Sequence, residues 1–199
     1  MALASQRRQP RMTVDLFRAF YASRPDEERW ELIDGVAMMM APATFAHQRI
    51  ASNLERLLLD ALEIGAPTLT ALQAIGVNLA PSVNDYDPEP DVVVIDAAAA
   101  EKPGERYADR FYLAAEIISA SDRVEAENKR DIYKLHEFCN CILIVQQGRY
   151  EVRVSLRSND GWSELTMTQP DDLLALPEFG LRCRIADLYR GTALQPRQG

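Results

Sequence analysis

Two acids in this chain stand where charge is costly. Glu116 lies inside Leu113-Ala114-Ala115-Glu116-Ile117-Ile118, the most apolar strand-like run of the sequence. Asp91 opens a second apolar run, Val92-Val93-Val94-Ile95, directly after Pro90, which itself restricts Glu89 to extended geometry. Burying a carboxylate costs on the order of several kcal/mol unless it is paired or bound to a cation. If the two runs are neighbouring strands, carboxylates about 4 Å apart repel by roughly 4 kcal/mol at an effective dielectric near 20. One of them then holds a proton, or a divalent cation sits between them. Two carboxylates with waters and substrate oxygens suit Mg²⁺ or Mn²⁺. Taken singly, each acid has a plainer explanation: Glu116 held by an arginine or by backbone N–H groups, and Asp91 as an acid that ends a turn.

Lys129 follows Glu116 at the opening of a helical segment, and Tyr133 lies four residues further on, hence on the same helix face. A lysine beside the two acids would orient a nucleophile or stabilise charge on a pentacovalent phosphate. The alternative is a solvated lysine in the charged run Glu125 to Asp131. His47 and His136 are the only histidines, too few for a zinc cluster. Cys139-Asn140-Cys141 is too close for a zinc knuckle, and Cys139, Cys141 and Cys183 read as reduced thiols of a cytoplasmic protein.

The elements that must position these groups follow from the hydrophobic pattern. Thr13 is a helix N-cap ahead of Leu16, Phe17 and Phe20. Trp30 to Ile33 and Val36 to Met40 form a hairpin through Asp34-Gly35, the preferred two-residue turn. Ile50, Leu54, Leu57, Leu58, Ala61 and Leu62 recur at helical spacing, and Gly65 and Pro67 stop that helix. Strand-like runs follow at Thr68 to Gln73 and Ile75 to Leu79, then a turn-rich loop from Pro81 to Pro90. After the two apolar runs the charged stretch from Ser121 leads into a helix expected to face the core with Ile132, Leu135 and Cys139. Cys141 to Val145, Tyr150 to Val154 and Trp162 to Met167 continue as a meander, with a short strand around Leu181 to Ile185 and a last helical turn. The order predicts an α/β (α+β) fold, a mixed β-sheet flanked by helices, in one domain at 13–190 with flexible tails at 1–12 and 191–199.

Composition sets bounds on function. The chain has 199 residues, of which 47% are hydrophobic, enough to build a core. Its net charge of −8 argues against coating nucleic acid by sheer basicity, though not against a phosphodiesterase whose site is itself built of carboxylates. No stretch is apolar enough to span a membrane, and the Arg-bearing N-terminus lacks the apolar core of a secretory signal.

Pro90-Asp91-Val92, then Ala115-Glu116-Ile117-Ile118-Ser119, then Lys129 and Tyr133, resemble the Uma2 family of restriction-endonuclease-like proteins, a group with the PD-(D/E)xK nuclease fold. Glu31-Leu32-Ile33-Asp34-Gly35-Val36, Ala41-Pro42 and His47 resemble its N-terminal signature, so that the likeness spans about Thr13 to Tyr189. The resemblance implies that Asp91 and Glu116 are metal ligands, that the backbone carbonyl of Ile117 is a further one, and that Lys129 is the nuclease lysine. In the standard pattern that lysine sits two residues after the acid, where this chain has Ile118; the resemblance places it on the next helix. Glu31 is then either an accessory acid or an exposed strand residue, and His47 either a base or a helix-start residue. The chain departs from the family at Cys141 to Gln147, usually an aromatic strand ending in an acid, and at Ala120 and Asp122, usually Pro and Thr.

The leading expectation is a Mg²⁺- or Mn²⁺-dependent endonuclease acting on DNA. The alternatives are a non-catalytic binding or scaffold module on a nuclease fold, and a metal-dependent hydrolase of another phosphate ester. Cutting a duplex takes two sites, so a homodimer is expected, with Tyr150 to Val154 or Met38 to Met40 as the interface.

Overall fold

The computed structural model describes residues 11–79 and 83–196; most of the expected N-terminal tail, Pro81 at the head of the turn-rich loop, and 197–199 lie outside the described residues. Helix α1 (Val14–Tyr21) is capped by the Thr13 hydroxyl, which accepts from the Leu16 N–H. Strands β1 (Trp30–Ile33) and β2 (Val36–Met39) pair antiparallel across Asp34 and Gly35, both at positive φ, as a tight turn with this twist requires. Helix α2 (Phe45–Gly65) starts at the Thr44 cap, whose hydroxyl accepts from the His47 N–H at 3.2 Å. Its stripe of Ile50, Leu54, Leu58 and Leu62 is fully buried, each such side chain stabilising the fold by about 2 kcal/mol.

There follow β3 (Leu69–Gln73), β4 (Gly76–Val77), β5 (Val92–Asp96), the turn α3 (Ala97–Ala100), β6 (Tyr107–Ala108), β7 (Phe111–Ile118), α4 (Arg123–Tyr133), β8 (Cys141–Gln146), β9 (Val152–Ser158), β10 (Gly161–Met167), β11 (Leu173–Leu176), β12 (Leu181–Arg184) and α5 (Ile185–Leu188). Six of these strands form one sheet in the order β10-β9-β8-β7-β5-β3. Its pairs are antiparallel except β7 with β8, which α4 connects as a crossover. The sheet is covered on one face by α2 together with β11, β12 and α5, around Leu113, Ala115, Leu143 and Val154. The other face packs Val93, Ala114 and Ile142 against Tyr133, and Ile118 and Ile144 against Ala126 of α4.

Two expectations change. Helix α4 buries Ala126, Lys129 and Tyr133 rather than Ile132, Leu135 and Cys139. Leu135 is 58% exposed, and Cys139 is buried beyond the helix end. Strand β9 lies between β8 and β10 with both edges paired, so Tyr150 to Val154 offers no free edge for a partner. Near the described ends, Met12 N–H donates to the Gly35 carbonyl, and the Tyr150 hydroxyl donates to the carbonyl of Leu194, which packs on the main core.

Candidate active site

The register of the two central strands builds the site. Val92 pairs with Ala115 antiparallel, so the residue before β5 comes up against the end of β7. That residue is Asp91. Its Oδ2 accepts from the Ile117 N–H at 2.7 Å, and its Oδ1 lies 3.0 Å from His47 Nε2 at the start of α2. Alternation along β7 sends Glu116 to the same face as Ala114 and Ile118, under α4. There Glu116 Oε1 accepts from the Tyr133 hydroxyl at 2.7 Å, and Oε2 lies 3.3 Å from Lys129 Nζ. Lys129 and Tyr133 reach one carboxylate because they are one helical turn apart on α4.

Lys129 has a second carboxylate. Its Nζ lies 2.7 Å from Glu31 Oε2, while Glu31 Oε1 accepts from the Glu89 N–H at 2.9 Å. Glu31 is 3% exposed, Lys129 4% and Glu116 6%. The structure therefore brings buried Glu31, Glu116, Lys129 and Tyr133 together with half-buried Asp91 and His47 in one set, and the solvated alternatives for Lys129 and Glu31 do not hold. Lys134, at the C-cap of α4, points elsewhere and pairs with Glu164 at 2.8 Å.

Burial first, then Asp91 and Glu31, push the Glu116 carboxyl up to about 8, against the opposing pull of Lys129 and the Tyr133 hydroxyl. Burial alone would lower Lys129; the Glu116 and Glu31 carboxylates outweigh it and hold the ammonium above its ordinary value. Burial, then Glu116 and Glu31, keep the Tyr133 phenol protonated far beyond neutral pH.

Glu31, His47, Asp91, Glu116 and Lys129 open onto a cavity of about 460 Å³, walled by the stretch from Met38 to Thr44 and the start of α4. Glu89, Asp122 and Glu125 also line it, and sequence reasoning missed all three. Burial raises the carboxyl of Glu89 against Arg29, and that of Glu125 against Lys129, whereas hydrogen bonds from Ser119 and Ser121 lower that of Asp122. The available signal for Glu89 was its place between Pro88 and Pro90, which holds it extended toward the strand that Asp91 opens.

Residues 14–186 match the Uma2 family, described as "Putative restriction endonuclease". The chain belongs to the Uma2 family. A solved structure titled as "a putative nuclease belonging to DUF820 from Anabaena variabilis ATCC 29413" is 17% identical, with a TM-score of 0.70 over 89% of this chain and 97% of that one. No curated protein matches. The six-stranded mixed sheet flanked by helices is thus the restriction-endonuclease-like fold expected of a Uma2 chain. No helix among the described residues is long and apolar enough to cross a membrane.

A nuclease fold implies a cation, and the donor set of this Uma2 chain can be tested for it. Among the described residues no three His, Cys, Asp or Glu side chains form a group that could hold a metal ion. A cation would therefore rest on two carboxylates, with water and substrate oxygens completing its shell, which is how Mg²⁺ is commonly held. Asp91 and Glu116 fit that use. Each oxygen has one protein partner and keeps a second lone pair. Three carboxyl groups face a single ammonium, and the proton that Glu116 retains is the one a cation would displace.

Proposed function

We propose that the protein is a metal-dependent endonuclease that hydrolyses DNA phosphodiester bonds, with Asp91, Glu116 and the Ile117 carbonyl holding Mg²⁺ or Mn²⁺. The observation that carries this reading is the bond from the Ile117 N–H to Asp91, which fixes the two acids side by side in one cavity beside a buried lysine. Membership of a family described as "Putative restriction endonuclease" supports it. The cation, when bound, would polarise a phosphate oxygen and lower the pKa of an attacking water.

The chain's own groups would divide the remaining work. Lys129, shared between Glu116 and Glu31, keeps its proton; it serves as a fixed positive charge toward the phosphate and not as a base. Tyr133 fixes one oxygen of Glu116, and His47 orients Asp91. Glu31 positions Lys129 and ties the hairpin to the loop before β5 through the Glu89 N–H.

We further propose a homodimer. Two-fold oligomers are the commonest kind, and Met38 and Met39 present exposed apolar surface beside the cavity. The functional test is incubation of supercoiled plasmid, single strands and branched DNA with Mg²⁺ or Mn²⁺, against an Asp91→Ala control. Cleavage of any of these that is lost in the control supports the reading. Inert DNA combined with turnover of a simple phosphate diester would favour a hydrolase of another ester, and no turnover with any substrate would favour a binding module.

A further inference from the structure

A second cleft, of about 630 Å³, lies beside the acid cavity and shares Glu89 with it. Its floor, Asp87-Pro88-Glu89, runs on through Pro90 into Asp91, so that Pro88 and Asp91 are at most about 11 Å apart along the chain. Its walls are aromatic and arginine-bearing. Trp30 is half-buried, with its indole N–H held by Glu28 at 2.7 Å and its ring set edge-on to Phe20 at 5.1 Å. The exposed Arg24 guanidinium lies over the Phe20 ring at 4.4 Å and 5.7 Å from the Trp30 ring, so that its plane is held beside the indole. Across the cleft Arg18 stacks on Tyr107 at 3.8 Å.

The charges decide what such a cleft could hold. Arg18 is committed to Asp87 at 2.6 Å, and Arg29 to Glu89. Among the described residues Arg24 and Arg106 have no carboxylate partner, while Asp26 and Glu105 also line the cleft. The cleft is near neutral, so its grip would come from stacking on fixed ring and guanidinium planes rather than from neutralising many phosphates. Its volume is that of a small-ligand pocket, which takes a nucleotide and not a duplex.

We propose that this cleft is a subsite for an unpaired nucleotide of a DNA single strand, stacked on Trp30 and Arg24, so that the preferred substrate carries a single-stranded element next to the bond that is cut. The proposal rests on the nuclease reading for its substrate, but its test is independent of cleavage. Trp30 and Trp162 are the only tryptophans, so a Trp162→Phe protein reports Trp30 alone. In EDTA, an oligothymidylate of about ten nucleotides should quench its emission saturably. A duplex of equal length should bind at least tenfold more weakly.

Arg24 is exposed and can be removed without threatening the fold. Arg24→Ala should weaken single-strand binding about tenfold, and Asp91→Asn should leave it within about twofold. Unchanged Trp30 emission with the single strand, equal affinity for duplex, or an Arg24→Ala protein that binds like the parent would overturn the subsite, even if the enzyme cuts DNA. Quenching as described, without cleavage of any DNA, would uphold the subsite and remove the nuclease reading instead.

Discussion

The Ile117 N–H donates to Asp91 Oδ2 across 2.7 Å, so a side chain from the loop before β5 takes up a backbone donor at the end of β7. Asp91 is thus a structural splint for the sheet end as well as a candidate ligand. Asp91→Ala should destabilise the protein by about 1–3 kcal/mol, because the N–H loses its acceptor in a largely buried place. Asp91→Asn keeps an acceptor oxygen and should cost less than about 1 kcal/mol while still abolishing cation-linked stabilisation. Urea unfolding of the two variants, with and without Mg²⁺, separates the two roles.

Glu116 should leave a pH signature in the metal-free protein. Its folded-state value of about 8 lies above the ordinary 4.5, so the folded protein binds the extra proton between these limits. Stability from this group is fully present below about pH 4.5 and is lost as pH rises toward 8, with a slope of at most about 1.4 kcal/mol per pH unit. Glu116→Gln should flatten that part of the stability curve in EDTA. A variant whose curve parallels the parent from pH 5 to 8 would show that Glu116 does not titrate there.

Lys129 is held by two carboxylates, and its removal has two separable effects. Lys129→Ala leaves both acids buried without their cation and should cost about 3–5 kcal/mol in stability. At a temperature where the variant is folded, cleavage should fall about a hundredfold. Lys129→Arg should not rescue fully, since a planar fork replaces a point charge. Lys134→Ala touches outer ion pairs with Glu164 and Asp131 and a contact with the Trp162 ring, and should change stability by less than about 1 kcal/mol. Lost cleavage in Lys134→Ala, with a normal rate in Lys129→Ala, would reverse the assignment.

Glu31→Gln offers a finer probe of positioning. The amide oxygen can still accept from the Glu89 N–H, while Lys129 loses one of its two charge partners. The turnover rate should fall more than tenfold with little change in Mn²⁺ affinity. A parallel loss of Mn²⁺ affinity would make Glu31 a ligand rather than a positioning residue.

Association is checked by sedimentation equilibrium at micromolar concentration. A dimer is expected, and Met39→Glu should weaken it. A clean monomer for the parent protein would contradict the proposal.

What the sequence made legible follows a physical divide. Asp91 and Glu116 stood out because each interrupts or opens a run buried on both faces, and the Asp34-Gly35 turn stood out because few residues tolerate its backbone. The buried face of α4 did not. Hydrophobic spacing pointed to Ile132 and Leu135, whereas the helix buries Lys129 and Tyr133, whose polar ends are satisfied by Glu116 and Glu31. Such a polar seam cannot be read from hydropathy, because the compensating partners come from distant strands. Strand β11 escaped for the opposite reason: Leu173 and Ala175 are exposed yet apolar, so Leu173 to Leu176 shows no alternation. Asp87 lies in the stretch read only as a turn-rich loop, yet it pairs with Arg18 of α1 and is 5% exposed.

Asp91 and Glu116 together are expected to hold a hard divalent cation. Calorimetric titration of Mn²⁺ into the parent protein, Asp91→Asn and Glu116→Gln tests it most directly. One site per chain is expected in the parent, with release of up to one proton near pH 7, and at least tenfold weaker binding in each variant. Binding that survives both substitutions unchanged, or no binding by the parent at millimolar Mn²⁺, would contradict it.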